Sequence, residues 1–410
     1  MAAPVGIYVS IPFCRAKCTF CNFASDAYAP DRIQPYVDRL CTEIRGARQT
    51  AERIGALLPR AADSVYFGGG TPSLLTAEQH RQVFASLRNE FDLAPDAEIT
   101  LECAPGQLAD QTLEELLQQG INRISFGVQS FVDRESAAVG RLHTRRECDA
   151  ELARVRAAGV ENLSLDLIAG LPHQTEASWK FSVEQAIASG VPHVSVYLLE
   201  VDEESRLGRE VIEQGSRYGA EAVPDDDEMV SRYQWACDAL NTAGVAQYEI
   251  ANFARSGHRS QHNLKYWKRQ PYLGLGLDAH SMLLQQSGAV RSANTSDLAT
   301  YLASAPPSGQ TPFPLLHDPL FDSADKGEQI THDAAFEETL FLGLRLNEGV
   351  DLAQVSEQFG ERMIREVMPA LREVTDAGLL ELLAERIRLT AQGRVLSNEV
   401  FSRLLVIPAA

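Results

Sequence analysis

Nowhere do these 410 residues contain an apolar run long enough to span a bilayer. Basic residues are in short supply: 37 Lys and Arg stand against 56 Asp and Glu, a formal net charge of −19. Phosphate backbones need a basic face, so nucleic acid is excluded as a partner. Met1 to Tyr8 carry no basic segment and no true hydrophobic region, so no secretory signal is expected there. Cysteine is sparse and odd in number, seven in all, which does not make a disulfide framework. What the chain does have is 45% hydrophobic residues, enough for a packed core. The length suggests one large domain and a smaller one.

Three of the seven cysteines fall together, in Tyr8-Val-Ser-Ile-Pro-Phe-Cys14-Arg-Ala-Lys-Cys18-Thr-Phe-Cys21, a CxxxCxxC pattern. The apolar lead-in reads as a buried strand, and Pro12, lacking an N–H, ends it. Three thiolates on one loop suit soft iron or zinc. Structural zinc closes with four ligands, and an ordinary iron–sulfur cluster takes four cysteines. No fourth Cys or His lies near, so the pattern suggests a 4Fe-4S cluster with one iron open; buried thiols or a zinc clasp are the plain alternative. Reactive thiolates fit a reducing compartment, and a cytoplasmic location is expected. Cys41, Cys148 and Cys237 lie on helical patterns, and they and Cys103 are expected to be packing thiols.

Further along, Asp63 to Phe67 reads as a strand running into Gly68-Gly69-Gly70-Thr71-Pro72. Three absent Cβ atoms let backbone approach a ligand and offer N–H groups. Thr76 with Gln79 is a capping box that opens a helix. A degenerate repeat follows at Gly120-Ile-Asn-Arg-Ile-Ser, Gly159-Val-Glu-Asn-Leu-Ser and Gly190-Val-Pro-His-Val-Ser, with a weaker copy at Gly244. Each glycine sits where a helix ends and a strand begins. Alternating helix and strand mean a parallel sheet, open or closed as a barrel. Strands are predicted at 5–11, 63–68, 97–103, 121–129, 160–168 and 192–200. Their C-terminal ends carry Cys14, Gly68 to Gly70, Glu102, Gln129, Asp166 and Glu200, converging where α/β barrels hold ligands. Asp225 to Glu228 reads as an acidic helix start.

CxxxCxxC with Phe20 before the last cysteine resembles the signature of the radical S-adenosylmethionine superfamily. The phrase Tyr8-x-x-Ile-Pro-Phe-Cys14 is similar to one branch of it, the oxygen-independent coproporphyrinogen III oxidases and a related family of haem chaperones. The resemblance implies an α/β fold: a partial six-stranded (β/α)6 TIM-like barrel with a C-terminal, mostly helical, winged-helix-like domain. It implies that Cys14, Cys18 and Cys21 hold a 4Fe-4S cluster and that S-adenosyl-L-methionine binds beside it. Phe20 would lie by the adenine and Gly68, Gly69, Gly70 and Thr71 by the methionyl end. Glu102 would meet the amine or the ribose, with Gln129, Arg141 and Asp166 around the sugar and carboxylate, and Tyr8 and Glu200 nearby. In that family a reduced cluster cleaves the sulfonium; whether this chain does so is left open by its residues.

Residues 1–300 are expected to form the barrel, with a haem-associated extension at about 201–300. A linker or irregular stretch is expected at 301–333, and the winged-helix-like domain at 334–410. In that last part twelve acids face eight arginines, which favours packing or partner contact over DNA. His262-Asn-Leu-Lys-Tyr266-Trp267 reads, on spacing alone, as a loop held by aromatic packing. It resembles a motif that recurs in the haem chaperones, which makes His262 a candidate haem ligand, with His280 and His143 as alternatives. The true oxidases carry another cysteine two residues after the third; here that position is Phe23. They also carry a long arm before the cysteines, for which the early motif leaves no room. The resemblance therefore implies a haem chaperone ahead of a coproporphyrinogen III oxidase or another radical enzyme. The partners expected are haem, a haem-acceptor protein and a reductant protein such as a flavodoxin. Transient contact with a membrane surface stays compatible with the sequence.

Overall fold

A computed structural model describes residues 3–303 and 327–405. Six parallel strands lie side by side in chain order: β1 (Val5–Ile11), β2 (Ala61–Gly69), β3 (Asp92–Cys103), β4 (Arg123–Gln129), β5 (Asn162–Ala169) and β6 (His193–Leu198). All six coincide with the predicted strands to within a few residues. Helices connect them, and the chain turns back at the repeated glycines. Gly120, Gly159, Gly190 and Gly244 have φ of +85°, +98°, +70° and +75°, the left-handed backbone that ends a helix at least cost. Helix starts are as explicit. Thr76, Thr144 and Thr175 each form a reciprocal capping box, worth roughly 1 kcal/mol apiece.

Strand alternation sorts the side chains. Ile7, Val9 and Ile11 of β1 join the core with Tyr36, Val37, Leu40 and Ile44 of the helix Ile33–Arg53. The opposite face carries polar residues in register. Tyr8 lies opposite Tyr66, Tyr66 opposite Thr100, and Thr100 opposite Arg123. Nearer the C-terminal ends, Glu102 faces Ser125, and Gly127 faces Asp166, which faces Ser195. The sheet is thus apolar under its helices and polar within its concavity.

The sheet is wider than predicted. At the β6 edge, β7 (Ala246–Gln247) and β8 (Asn252–Ala254) add antiparallel strands. At the β1 edge, β9 (Tyr272–Leu275) pairs parallel to β1 and is followed outward by β10 (His280–Leu284), β11 (Ala289–Ala293) and β12 (Glu328–Ile330). Gly274 in β9 serves close approach: a Cβ on it would sit 2.2 Å from the His280 carbonyl oxygen. Of the expected irregular stretch 301–333, residues 304–326 lie outside the described residues. Its flanks are regular, because Leu298–Ala303 is helical and Glu328–Ile330 finds a partner in Ala289–Arg291.

The C-terminal part has an apolar core of its own, centred on Leu340, Leu344, Val367, Leu371, Val374 and Ile387. Helices His332–Arg345, Leu352–Phe359 and Glu361–Asp376 pack with a three-stranded sheet. In it β15 (Arg386–Leu389) lies between β13 (Val350–Asp351) and β14 (Leu380–Leu383). The expected hairpin is present, and β13, only two residues long, is an addition. The last helix is two short ones, Ala391–Val395 and Ser397–Leu404.

This part is fastened to the extension by charge. Buried Glu338 accepts from Arg269 at 2.9 Å and from Arg291 at 2.5 Å, and Arg345 lies 4.3 Å over the Trp267 ring. Removing one member of such a cluster leaves the others uncompensated. Glu338→Gln is expected to destabilise the protein by about 2 kcal/mol, less than a fully buried pair because Arg291 keeps some solvent. Thermal melting of the full chain checks this, with an unchanged midpoint counting against the contact.

Candidate cluster loop and barrel mouth

The cysteine loop leaves β1 and is closed at its base. Cys14 N–H donates to Asp26 O, and Asp26 N–H to Pro12 O, both at 3.0 Å. Within it Cys21 N–H reaches Cys18 O at 3.3 Å, and Thr19 N–H donates to Val139 O at 3.1 Å. The loop's outer side is held by Leu207 N–H, which donates to Thr19 O at 2.7 Å, and by Asn22, which donates to Asp202 at 3.0 Å.

The glycine turn at the end of β2 is welded to this loop. Gly70 N–H donates to Ile11 O at 2.9 Å and Thr71 N–H to Phe13 O at 2.8 Å. The Thr71 hydroxyl is 3.7 Å from Cys14 Sγ. These amides are therefore used on the cysteine loop and are not free to cradle a ligand, which corrects the expectation that the turn offers them. The glycines are needed for proximity. A Cβ on Gly70 would lie 2.8 Å from Ile11 O and 2.9 Å from Phe13 O.

The three thiols share one neighbourhood. Cys21 Sγ is 3.9 Å from Ser25 Oγ, and the Arg141 guanidinium donates to Cys18 Sγ at 3.5 Å. Burial pushes the Cys14 and Cys21 thiols up, opposed at Cys14 by the Thr71 and Ser25 hydroxyls and at Cys21 by the Phe23 backbone and Ser25; the neighbouring thiols push in the same direction as burial. Among the described residues no three His, Cys, Asp or Glu side chains are gathered to hold a single metal ion. A single tetrahedral ion with bonds of ~2.3 Å would need sulfurs within about 4 Å of one another. A cluster that presents a separate iron to each cysteine accepts a wider spread. The donor set, three loop thiols and a neighbouring guanidinium, fits such a group.

Around the mouth most of the expected residues converge. Glu102 accepts from the Tyr66 hydroxyl at 2.9 Å. Its carboxyl is pushed up to about 7, by burial first and then by the Asp166 charge, against the Tyr66 and Gly69 hydrogen bonds. Asp166 accepts from Ser125 at 3.4 Å, and burial raises its carboxyl too, against the pull of Ser195 and Arg123. Arg141 also donates to Gly127 O, and Gln129, at φ +67°, has a buried side-chain oxygen without a hydrogen-bond partner. A left-handed non-glycine residue with an orphaned acceptor marks a place where backbone strain aims a polar group inward. Phe20 packs on the apolar cluster of Val139, Ile168, Leu171 and Leu199. Glu200 is the exception: it lies exposed beyond the end of β6, making no hydrogen bond or ion pair among the described residues.

His262 is placed otherwise than expected. It lies on a helix, Gln261–Trp267, not in a loop, and it is buried. Its Nδ1 is 3.0 Å from Ser64 Oγ, its Nε2 is 2.8 Å from the Tyr266 hydroxyl, and its N–H donates to Glu98 at 3.1 Å. Lys265, one turn on, pairs with Asp63 at 2.7 Å and caps Pro4 O at 3.0 Å. The motif thus plugs the barrel near the start of its strands. Both ring nitrogens of His262 are spent, and burial, followed by the charges of Lys265 and Arg123, lowers its pKa to about 3. His143 is also buried, with Nε2 3.2 Å from Val128 O and a pKa lowered to about 4 by burial and Arg141. His280 alone of the three is exposed. It lines a pocket of about 290 Å³ with Tyr8, Ser10, Phe23, Tyr266 and Tyr272.

Tyr66, Arg123 and Ser25 were not singled out from the sequence. Arg123 carried a signal: a cation inside an apolar strand, two residues from Ser125, points into the same concavity. Ser25 carried none.

Residues 8–186 match the Radical SAM superfamily and residues 330–396 the HemN C-terminal domain. The chain is 32% identical over 404 residues to the heme chaperone HemW of Synechocystis sp., covering 97% of this chain and 91% of that one. It is 30% identical over 399 residues to the heme chaperone HemW of Bacillus subtilis, covering 97% and 98%. Among solved structures, the coproporphyrinogen III oxidase HemN of Escherichia coli shares the fold, with a TM-score of 0.77 at 23% identity over 98% of this chain and 90% of that one.

The weld predicts a specific sensitivity. In Gly70→Ala the new methyl group meets two carbonyl oxygens that cannot retreat without moving the cysteine loop. Anaerobic reconstitution of that variant is expected to give less than half the wild-type iron and sulfide, with the fold retained by circular dichroism. Full loading would show that the loop tolerates the displacement.

Proposed function

Because the chain belongs to the HemW family of the radical S-adenosylmethionine superfamily, we propose that it is a haem chaperone, binding haem and passing it to an acceptor protein. The observation that supports this most directly is the exposed histidine in an aromatic pocket that opens beside the cysteine loop. Cys14, Cys18 and Cys21 would hold the 4Fe-4S cluster, and Tyr8, Phe20, Gly68 to Thr71, Glu102, Gln129, Arg141 and Asp166 would surround S-adenosylmethionine. When bound, the cluster supplies a one-electron reductant and an open iron for the methionyl amine and carboxylate. The protein's own part is positional. Arg141 holds its guanidinium against Cys18 Sγ, fixing that side of the cysteine loop. From within a half-buried mouth Glu102 would meet the amine or the ribose, and Asp166 would lie by the sugar and carboxylate. A reductant protein such as a flavodoxin belongs to this reading, as does a haem acceptor. No helix among the described residues is long and apolar enough to cross a membrane.

Phe23 bears on the rival oxidase reading. It is 63% exposed and occupies the position at which the oxidases carry a further cysteine. Incubation of the reduced, cluster-loaded protein with coproporphyrinogen III and S-adenosylmethionine is expected to yield no decarboxylated product, while haemin titration of the same sample shows a Soret band. Turnover without haem binding would reverse the order of the two readings. Cys14→Ala, Cys18→Ala and Cys21→Ala are each expected to lose the iron–sulfur absorption; retention of a full cluster in any of them would remove that cysteine from the site.

Glu102 gives a pH test. Its raised pKa means that the carboxyl is largely protonated below about pH 7 and becomes an anion only above it. If it meets the methionyl amine, S-adenosylmethionine affinity rises several-fold from about pH 6 to about pH 8. Glu102→Gln is expected to bind weakly and to flatten that dependence in equilibrium dialysis. A wild-type profile in the variant would place the amine elsewhere.

A further inference from the structure

We propose that His280 supplies the axial nitrogen for haem, with Phe23 covering one porphyrin face, in the pocket between β9, β10 and the cysteine loop. This rests on the haem-chaperone reading above and assigns its ligand-binding residues.

The first argument is the tautomer. His280 Nδ1 is 3.1 Å from the carbonyl oxygen of Asp278. A carbonyl only accepts, so Nδ1 carries the proton and Nε2 keeps its lone pair. Among the described residues Nε2 has no hydrogen-bond partner. A backbone carbonyl on the far nitrogen is also what orients an imidazole for metal binding and raises its basicity.

The second is rigidity. His280 opens β10 directly after a tight turn whose Asp278 sits at φ +56°. The turn is held from several sides. Asp278 N–H donates to Thr295 O at 2.9 Å, Asn294 N–H to Ala279 O at 3.0 Å, and Gly274 N–H to the Ser281 hydroxyl at 2.9 Å. The histidine backbone lies so close over Gly274 that no side chain fits between. A ligand held this way loses little freedom on binding.

The third is the wall. Tyr266 and Tyr272 pack edge to face at 4.6 Å and line the same pocket as His280. Phe23 lines the same pocket, an apolar ring left largely in solvent on a loop otherwise tied down at both ends. A large exposed aromatic on a fixed loop next to a lined cavity is what a flat apolar ligand covers. The pocket of about 290 Å³ takes part of a porphyrin and leaves the rest outside. That suits a protein which must give its haem away. One dative bond from Nε2 to iron forms, displacing a water or chloride, and no electron changes hands.

The test uses full-length protein with its cluster reconstituted, titrated with haemin. His280→Ala is expected to lower haem affinity at least tenfold and shift the Soret band, with added imidazole restoring the band. Phe23→Ala is expected to weaken binding severalfold with the band unmoved. Both variants should keep the iron–sulfur absorption and S-adenosylmethionine binding, which reports that the mouth is intact. If wild type binds haemin and His280→Ala matches it in affinity and spectrum, this inference is overturned and the chaperone reading stands. If wild type binds no haemin, the chaperone reading fails and takes this one with it.

Discussion

Two backbone hydrogen bonds, from Gly70 to Ile11 and from Thr71 to Phe13, fix the relation on which the rest of the mouth depends. They join the ends of adjacent parallel strands just where one releases the cysteine loop and the other turns into its helix. Parallel ladders normally stop at the strand end, where loops diverge. Here the ladder is carried past Pro12, and only a residue without a Cβ lets the two backbones approach this closely. The candidate site residues are referred to that frame: the three thiols on the loop, Glu102 beside Gly68 of the turn, and Phe23 further along the loop.

The concavity above this frame is polar in a way a barrel core is not. Tyr8, Tyr66, Thr100, Arg123, Glu102, Ser125 and Asp166 occupy successive inward positions. Such an interior costs desolvation unless its groups pair. Toward the strand starts the helix Gln261–Trp267 inserts His262 and Lys265, which bond to Ser64, Asp63 and the Pro4 carbonyl, while Thr100 Oγ1 and Arg123 Nε are left without hydrogen-bond partners. Toward the strand ends, groups are left under strain: Glu102 is driven toward neutrality, and the Gln129 oxygen is orphaned. The same barrel is thus closed at one end by a polar helix and open at the other, the asymmetry a ligand site needs.

Much of this was legible in the sequence, and the reason is local. The six central strands, the capping box at Thr76 and the glycine helix stops are each encoded within a few residues, by alternation, by Thr with a partner three on, or by a left-handed backbone. The cysteine spacing is equally local. The edge strands were not legible: the glycines of Tyr272–Leu275 answer to a contact with His280 made only in the folded sheet. The helical setting of His262 was not legible for the same reason. Its motif is short and aromatic, and nothing within it shows that Ser64 and Glu98, some two hundred and one hundred and sixty positions earlier, will take up its ring and its amide.

That displacement of His262 gives the motif a different connection to the ligand. By plugging the barrel the helix carries Tyr266 to the wall of the pocket, hydrogen-bonded back to His262 and packed edge-on against Tyr272. Loss of His262 would release Tyr266, and through it Tyr272 and the strand that precedes His280. A histidine can therefore govern a haem site without touching iron, by holding the ring that shapes the pocket while another histidine, two elements later at the start of β10, faces it. The distinction is physical: a ligand must have a free lone pair, and of the three histidines considered only His280 retains one at the surface.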